Sequence, residues 1–499
     1  MLLKILRLRS RRAARWVSAS VCLLFMLLLV GWFTPAILGS RFCWPQVLAY
    51  LTADFDGRVS SRSVSLGWFS PVVVQEVSVE DRQGQKLAQV EAVRTESSLL
   101  ALLLSSQELG VIHMDKPALT VVLRDDGSNL EDALASLLAK PSSSGTASGS
   151  IEVTDGSVNV VDVEQTHIAR LTAIGAKIQL PSAAEAQGVV TLDGCRITIG
   201  SQSGDCTARV QWQSGESSPS WSVSTRINGM GLSFIQALSR RLGQDVQVDG
   251  VLTADLDCRW NGSQDGLTVD VRQANTQPLQ LSAPAWLGKD QLRLQLLRVA
   301  GSCTVGDGRW QFKRAEVACD AGRFMLDGQF AWRPETGTSM WRQLLRSAAS
   351  ADLQVDGRVD LARLAQTLPN TLHIREGATI EAGTVQIHLR GRQEAPQRGW
   401  LADIETSELA AVRDGRRFSW NDPFRVSLEA AQSEQGWDVQ KLDCHTSFLQ
   451  LTGQGTPRTG SIELTCDLDR LVAELHQLFD LGALQAAGAM STQLRWQRG

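Results

Sequence analysis

Long stretches of this chain alternate apolar and polar side chains with a period of two. Leu252, Ala254, Leu256, Cys258 and Trp260 fall on one side of an extended segment, and Thr253, Asp255, Asp257 and Arg259 on the other. Val385, Ile387 and Leu389 alternate with Thr384, Gln386, His388 and Arg390. Ile462, Leu464, Cys466 and Leu468 alternate with Ser461, Glu463, Thr465 and Asp467. Such alternation predicts antiparallel sheet with one apolar face and one hydrated face. Helical spacing is confined to short pieces. Leu130, Leu134, Leu137 and Leu138 mark one face of a helix that stops at Pro141. The expected class is therefore mainly β with short helices, a β-rich α+β fold.

A longer period overlies this alternation. Cys195, Cys319 and Cys444 are evenly spaced, and each is followed nine residues later by glycine, at Gly204, Gly328 and Gly453. A short helix comes next, clearest as Asp360–Leu364 and Asp467–Leu471, with Leu232–Leu242 as a looser first copy. The aspartates suit the positive end of the helix dipole. Gly250, Gly383 and Gly488 then open a further strand. Order and period agree, so a strand–hairpin–helix–strand module repeated three times is expected.

The N-terminus reads differently. Lys4, Arg7, Arg9, Arg11, Arg12 and Arg15 precede an uncharged stretch from Trp16 to Ser40. Its most apolar part, Trp16–Phe33, spans about 27 Å as a helix, close to the hydrocarbon thickness of a bilayer. Trp16 and Trp32 fit the interfacial belts, and the basic cluster places the N-terminus in the cytoplasm. The expectation is a basic segment at 1–15, a transmembrane helix at 16–36, and the bulk of the chain in the periplasm. A cleaved signal peptide is the alternative, for which Ile37-Leu38-Gly39 makes a poor cleavage site.

Between Val111 and Leu134 two short strands, Val111–Met114 and Leu119–Leu123, flank Asp115-Lys116-Pro117. Proline donates no ladder hydrogen bond, so it fits a strand edge or a break between strands. Asp126-Gly127 makes a turn, and Ser128 with Glu131 forms a Ser-x-x-Glu capping box ahead of the helix. Pro117, Asp126, Gly127, Asn129 and Leu130, preceded by strands at Val72–Val79 and Ala88–Val93 and a Leu-rich helix at Ser98–Leu104, resemble the N-terminal pattern of the AsmA-like family of bacterial envelope proteins. The resemblance is close over residues 15–140 and one of style beyond them. It implies an inner-membrane anchor and an elongated, curled β groove related to those of bridge-like lipid-transfer proteins. It also implies phospholipid movement that supports the outer membrane. By that analogy Leu252, Leu256, Trp260, Val385, Ile387, Leu389, Ile462 and Leu464 line the groove. Periodicity by itself does not choose between such a groove and a closed sandwich core, and without the resemblance the core comes first.

Composition narrows the chemistry. At 499 residues the chain exceeds a single domain, and its net charge of −4 with 20% charged residues argues against a nucleic-acid surface. The 42 glycines and 14 prolines suit a turn-rich β protein. Nine cysteines occur without a Cys-x-x-Cys pair, so zinc is not expected. Cys195 and Cys206 either pair across a hairpin or act as small core hydrophobes. The six histidines are isolated in sequence. No nucleophile elbow, phosphate-binding loop or dinucleotide fingerprint occurs. Carboxylate neighbours such as Asp125/Asp126 read as turn and cap residues.

The resulting expectation is a non-catalytic, membrane-anchored envelope protein with no cofactor and no metal. Its partners are the inner membrane and phospholipid, with outer-membrane or periplasmic proteins as further partners. A periplasmic scaffold for β-rich proteins is the first alternative, and an enzyme with a dispersed site the second. The expected organisation is an N-terminal β/α region at 40–140, a Ser/Gly linker at 141–150, and β modules at 151–262, 263–392 and 393–499. The last module is the one whose final strand has barely begun at Gly499.

Overall fold

The computed structural model describes residues 22–27, 29–53, 55, 57–105, 108–124, 126–138, 148–164, 166–180, 187–213, 220–241, 243–261, 266–306, 308–331, 352–394, 397–407, 409–420, 422, 424–433, 436–478 and 486–497. The chain divides into two compact units, Met1–Arg196 and Ile197–Gly499. Both are dominated by strands, as the alternation requires.

In the first unit, residues 22–27 and 29–38 are helical and exposed over most of their length. No helix among the described residues is both long enough and apolar enough to cross a membrane. Arg11, Arg12, Arg15 and Trp16, expected to flank an anchor, lie outside the described residues, whereas Trp32 is 63% exposed on the helix. A second short helix, Trp44–Leu51, buries Trp44, whose indole donates to Ser61 Oγ at 2.6 Å.

Strands Pro71–Glu80 and Lys86–Ser98 form the expected hairpin, both longer than the sequence suggested. Next come Glu108–Asp115 and Ala118–Val122, which are one strand broken at Lys116-Pro117. Both halves pair antiparallel with Lys86–Ser98 and parallel with Ser148–Val161. This corrects the purely antiparallel expectation. A parallel partner has to enter in the same direction, which a tight hairpin cannot arrange, and the helix Asn129–Leu138 lies between the two strands. Across the break, Ser157 donates to the Pro117 carbonyl at 2.7 Å and Lys116 to the Thr154 carbonyl at 2.8 Å. Residues 141–147 of the expected linker lie outside the described ones, and Ser148–Ser150 already belong to the strand.

The second unit is a long antiparallel meander. Strands Gln202–Gln213, Ser220–Gly231, Gln247–Asn261, Leu267–Ser282, Leu297–Gly306, Arg309–Cys319, Gly322–Ala331 and Asp352–Asp360 each pair with the next. The ladder continues through Thr384–Glu394, Gln397–Thr406, Arg425–Ser433, Gly436–His445, Leu449–Gly455, Thr459–Asp467 and Ala489–Gln497. The expected helices appear as Phe234–Arg241, Leu361–Thr367 and Leu468–Leu478, each between two of these strands. Gly383 and Gly488 immediately precede a strand, while Gly250 sits inside Gln247–Asn261 beside a bulge. The boundary expected at 392 falls within the strand Thr384–Glu394.

The sequence did not announce a separate three-stranded sheet of Ala378–Ala382, Leu409–Arg413 and Arg416–Trp420. It folds over helix Leu361–Thr367 and buries Ala362, Ala365, Ile380 and Ala411. A second buried cluster, Leu232, Leu279, Leu294 and Ala321, lies beside helix Phe234–Arg241. Both of these clusters lie where helices cap the strands.

Candidate functional site: an apolar sheet face

Direct antiparallel partners project to the same face of a sheet, so the registers trace the apolar side without ambiguity. Cys258 faces Val223 and Val269, Val269 faces Cys303, and Cys303 faces Phe312. Phe312 faces Gly328, and Gly328 faces Leu353. Two residues on, Val355 faces Leu389, which faces Ala402, and Ala402 faces Leu428. Leu428 faces Leu442, Leu442 faces Gly453, Gly453 faces Ile462, and Ile462 faces Leu494. One apolar row therefore runs across the strands from Val223 to Leu494.

The structure brings all eight predicted residues to this side. Leu256 and Trp260 flank Cys258 on one strand, Val385 and Ile387 lie beside Leu389, and Leu464 lies beside Ile462. Each of the eight is half-buried. Leu252 differs from the rest, because it packs against the buried Leu232–Leu279–Leu294 cluster at the helix-capped end. Among the described residues of this unit, the large side chains that reach full burial are Leu232, Leu279 and Leu294 in that cluster, Ile380 under the three-stranded sheet, and Ile197 and Ile199; small residues such as Ala254 and Ala430 are buried too.

The opposite face is a lattice of charge. Asp255 accepts from Arg226 at 3.1 Å and from Arg272 at 2.8 Å, and Arg272 also pairs with Asp257. Arg259 meets Asp270 at 2.9 Å, and Arg425 meets Glu405 at 2.6 Å. His388, correctly read as outward-facing, lies 2.8 Å from Asp356. Hydrogen bonds from His388 and Gln354 hold the Asp356 carboxyl below the usual range. Exposed pairs of this kind contribute about 0–1 kcal/mol each, so their effect is to keep this face in water rather than to hold the sheet together.

Three features of the site escaped the sequence reading. First, aromatic rings gather at the hairpin ends of the apolar side. Trp221 and Trp260 stack with centroids 6.3 Å apart, and Phe312 stacks on Phe330 at 5.9 Å. The high tryptophan count was the available signal. Second, a cavity of ≈ 140 Å³ opens at the helix-capped end, with Leu409, Trp420, Phe424 and Phe448 as apolar lining. Glu474 borders it, accepting from Ser447 Oγ and from Arg470 Nε at 2.7 Å. Third, Asp290 is buried and accepts from Asn370 Nδ2 at 2.6 Å and from the amide of Thr371 at 2.5 Å, tying loops far apart in sequence.

Cys258, Cys303 and Cys444 behave as small apolar groups. Burial pushes the Cys258, Cys303 and Cys444 thiols up, which keeps them neutral at pH 7. Cys195 and Cys206 are both buried. In the first unit the Asp126-Gly127 turn and the Ser128 cap take the structural roles expected of them, with Glu131 donating its amide to Ser128 Oγ at 3.2 Å. Asn129 does more than start the helix: it accepts from the amide of Val122 at 2.8 Å and donates to the carbonyl of Thr120 at 3.1 Å. His113 lies between Glu96 and Glu152, at 3.2 and 3.4 Å. No family model matches the chain, and no curated protein matches it.

Proposed function

We propose that this chain is a non-catalytic envelope protein, anchored in the inner membrane with its N-terminus in the cytoplasm. It holds phospholipid acyl chains against the apolar face of its second unit and passes them between inner and outer membranes. The observation that carries this reading is the row from Val223 to Ile462, whose large side chains stay half-buried, with Leu494 exposed at its end. In a closed sandwich such residues sit at the centre of the core. Each acyl methylene removed from water contributes about 0.8 kcal/mol, so a few cross-strand rows are sufficient to retain a chain. The charged opposite face keeps the other side of the sheet in solvent. The basic cluster and the uncharged stretch after it support the anchor.

Purification of the full chain in mild detergent, followed by mass spectrometry of co-purified lipid, tests the reading. Phospholipid retained in stoichiometric amount is the expected result, and protein free of phospholipid overturns it.

One observation favours a second reading, a scaffold for β-rich envelope proteins. Among the described residues, strand Ala489–Gln497 pairs only with Thr459–Asp467, and it carries Met490 at 40% and Leu494 at 58% exposure. An open edge of this kind accepts a further strand. Co-purification of a β-rich partner that is lost in Leu494→Lys supports the scaffold instead.

A further inference from the structure

The loop after Leu66 is fastened to the N-terminal apolar helix. The Trp68 indole donates to the carbonyls of Gly31 and Trp32, at 3.0 and 3.1 Å. The next residue, Phe69, sets its ring 6.2 Å from that of Trp32 and is 71% exposed. The amide of Leu100 donates to the Trp68 carbonyl at 3.1 Å, which brings helix Leu99–Leu104 to the same place. That helix reads LLALLL, has no buried side chain, and exposes Leu103 by 61% and Leu104 by 78%. No charged residue occurs from Ser97 to Gln107, from Ser63 to Gln75, or from Cys22 to Ser40. Three charge-free segments thus meet in one exposed apolar patch beside Trp32.

We infer that Phe69 and helix Leu99–Leu104 insert into the hydrocarbon of the bilayer beside the anchor, as a membrane-embedded collar. The occupant of the patch is lipid, because the patch is continuous with the exposed apolar helix and no charged residue interrupts its three segments. Depth agrees: Trp32 is the residue expected in the interfacial belt, and interfacial apolar helices sink about 5–10 Å. The collar holds the first unit down on the membrane at the point where the chain leaves it. This rests on the membrane-anchored reading above.

The test places a photoreactive benzoylphenylalanine (Bpa) at three exposed sites of the full chain, as Leu24→Bpa, Phe69→Bpa and Leu104→Bpa. Each variant is irradiated in vesicles of phosphatidylethanolamine and phosphatidylglycerol, and lipid adducts are detected by mass spectrometry. Adducts at all three positions are expected. Adducts at residue 24 without adducts at 69 and 104 overturn the collar and leave the anchor standing. Adducts at 69 and 104 without any at 24 support the collar and overturn the anchor, and none at any position overturns both. As a second measurement, Leu103→Ser with Leu104→Ser in the Phe69→Bpa background is expected to cut the adduct yield at 69 at least threefold. An unchanged yield there counts against the two segments sharing one embedded patch.

Discussion

The backbone amide of Leu361 donates to the carbonyl of Gly383 at 2.9 Å, and Leu232 to Gly250 and Leu468 to Gly488 make the same bond at the same length. In each case the first residue after a strand is pinned to the glycine next to or within the strand that follows the helix. Gly250, Gly383 and Gly488 hold φ of 151°, 140° and 95°, a region that side chains rarely enter. At Gly250 an added β-carbon would also lie 2.4 Å from the Pro278 carbonyl oxygen, whereas at Gly488 it meets open space. Gly250→Ala is therefore expected to destabilise by about 2–4 kcal/mol and Gly488→Ala by about 1 kcal/mol. Urea unfolding followed by circular dichroism measures both. Equal shifts at the two positions would mean that dihedral strain alone decides the cost.

The apolar face predicts a separation of binding from folding. Ile387→Asp and Ile462→Asp place a carboxylate on half-buried positions of that face, and Ala411→Asp places one at a position with 0% exposure. The first two are expected to lose most co-purified lipid with a melting temperature within a few degrees of the parent. The third is expected to lose several kcal/mol, because an unpaired buried charge has no compensation. Lipid mass spectrometry and thermal melts on the same preparations check this. Unfolding of Ile387→Asp would mark that face as a closed core.

Asp290 gives a pH dependence with a definite sign. Burial pushes its carboxyl up, but hydrogen bonds from Thr371 and Asn370 outweigh this and hold it below the usual carboxylate value. A carboxyl depressed in the folded state contributes stability that is fully present above the unfolded value, about 3.9, and is lost as the pH falls through the folded one. Asp290→Asn removes the charge that accepts these bonds. The variant is expected to be less stable than the parent at pH 7, with the difference shrinking below about pH 4. Urea midpoints at pH 7 and at pH 3.5 measure the effect; a constant difference would show that Asp290 makes no pH-linked contribution.

What the chain revealed beforehand was the side each residue takes, and not what lies over it. Period-two alternation assigned Leu256, Ile387 and Ile462 to one face because side-chain direction is local to a strand. Whether a second layer covers that face depends on distant segments, and alternation carries no trace of them. The recurring helix-then-glycine order was legible for the same local reason, since Leu232, Leu361 and Leu468 bond to Gly250, Gly383 and Gly488 across a short span. The parallel pairing of Ser148–Val161 was hidden because it joins segments that no short pattern links. Asp290 was equally silent: a lone Asp after a short helix looks like any turn residue until Asn370 and Thr371 arrive.

Asn129 makes the sharpest test of the N-terminal motif. Its side chain is 3% exposed and satisfies two groups of the broken strand at once, the amide of Val122 and the carbonyl of Thr120. A helix start normally needs only a capping acceptor, and Ser128 Oγ already supplies that at 3.2 Å. Asn129 therefore stitches helix to strand, a role that needs a donor and an acceptor on one short side chain. Asn129→Ala leaves both strand groups unsatisfied and is expected to cost about 2–4 kcal/mol, against about 1 kcal/mol for Ser128→Ala. Asn129→Asp keeps the acceptor for Val122 but sets a carboxylate oxygen against the Thr120 carbonyl, so it is not a conservative replacement. Hydrogen exchange of a peptide containing the Val122 amide distinguishes the roles. It is expected to speed up in Asn129→Ala and Asn129→Asp while staying near the parent rate in Ser128→Ala. Equal protection in all three variants would reduce Asn129 to an ordinary first helical residue.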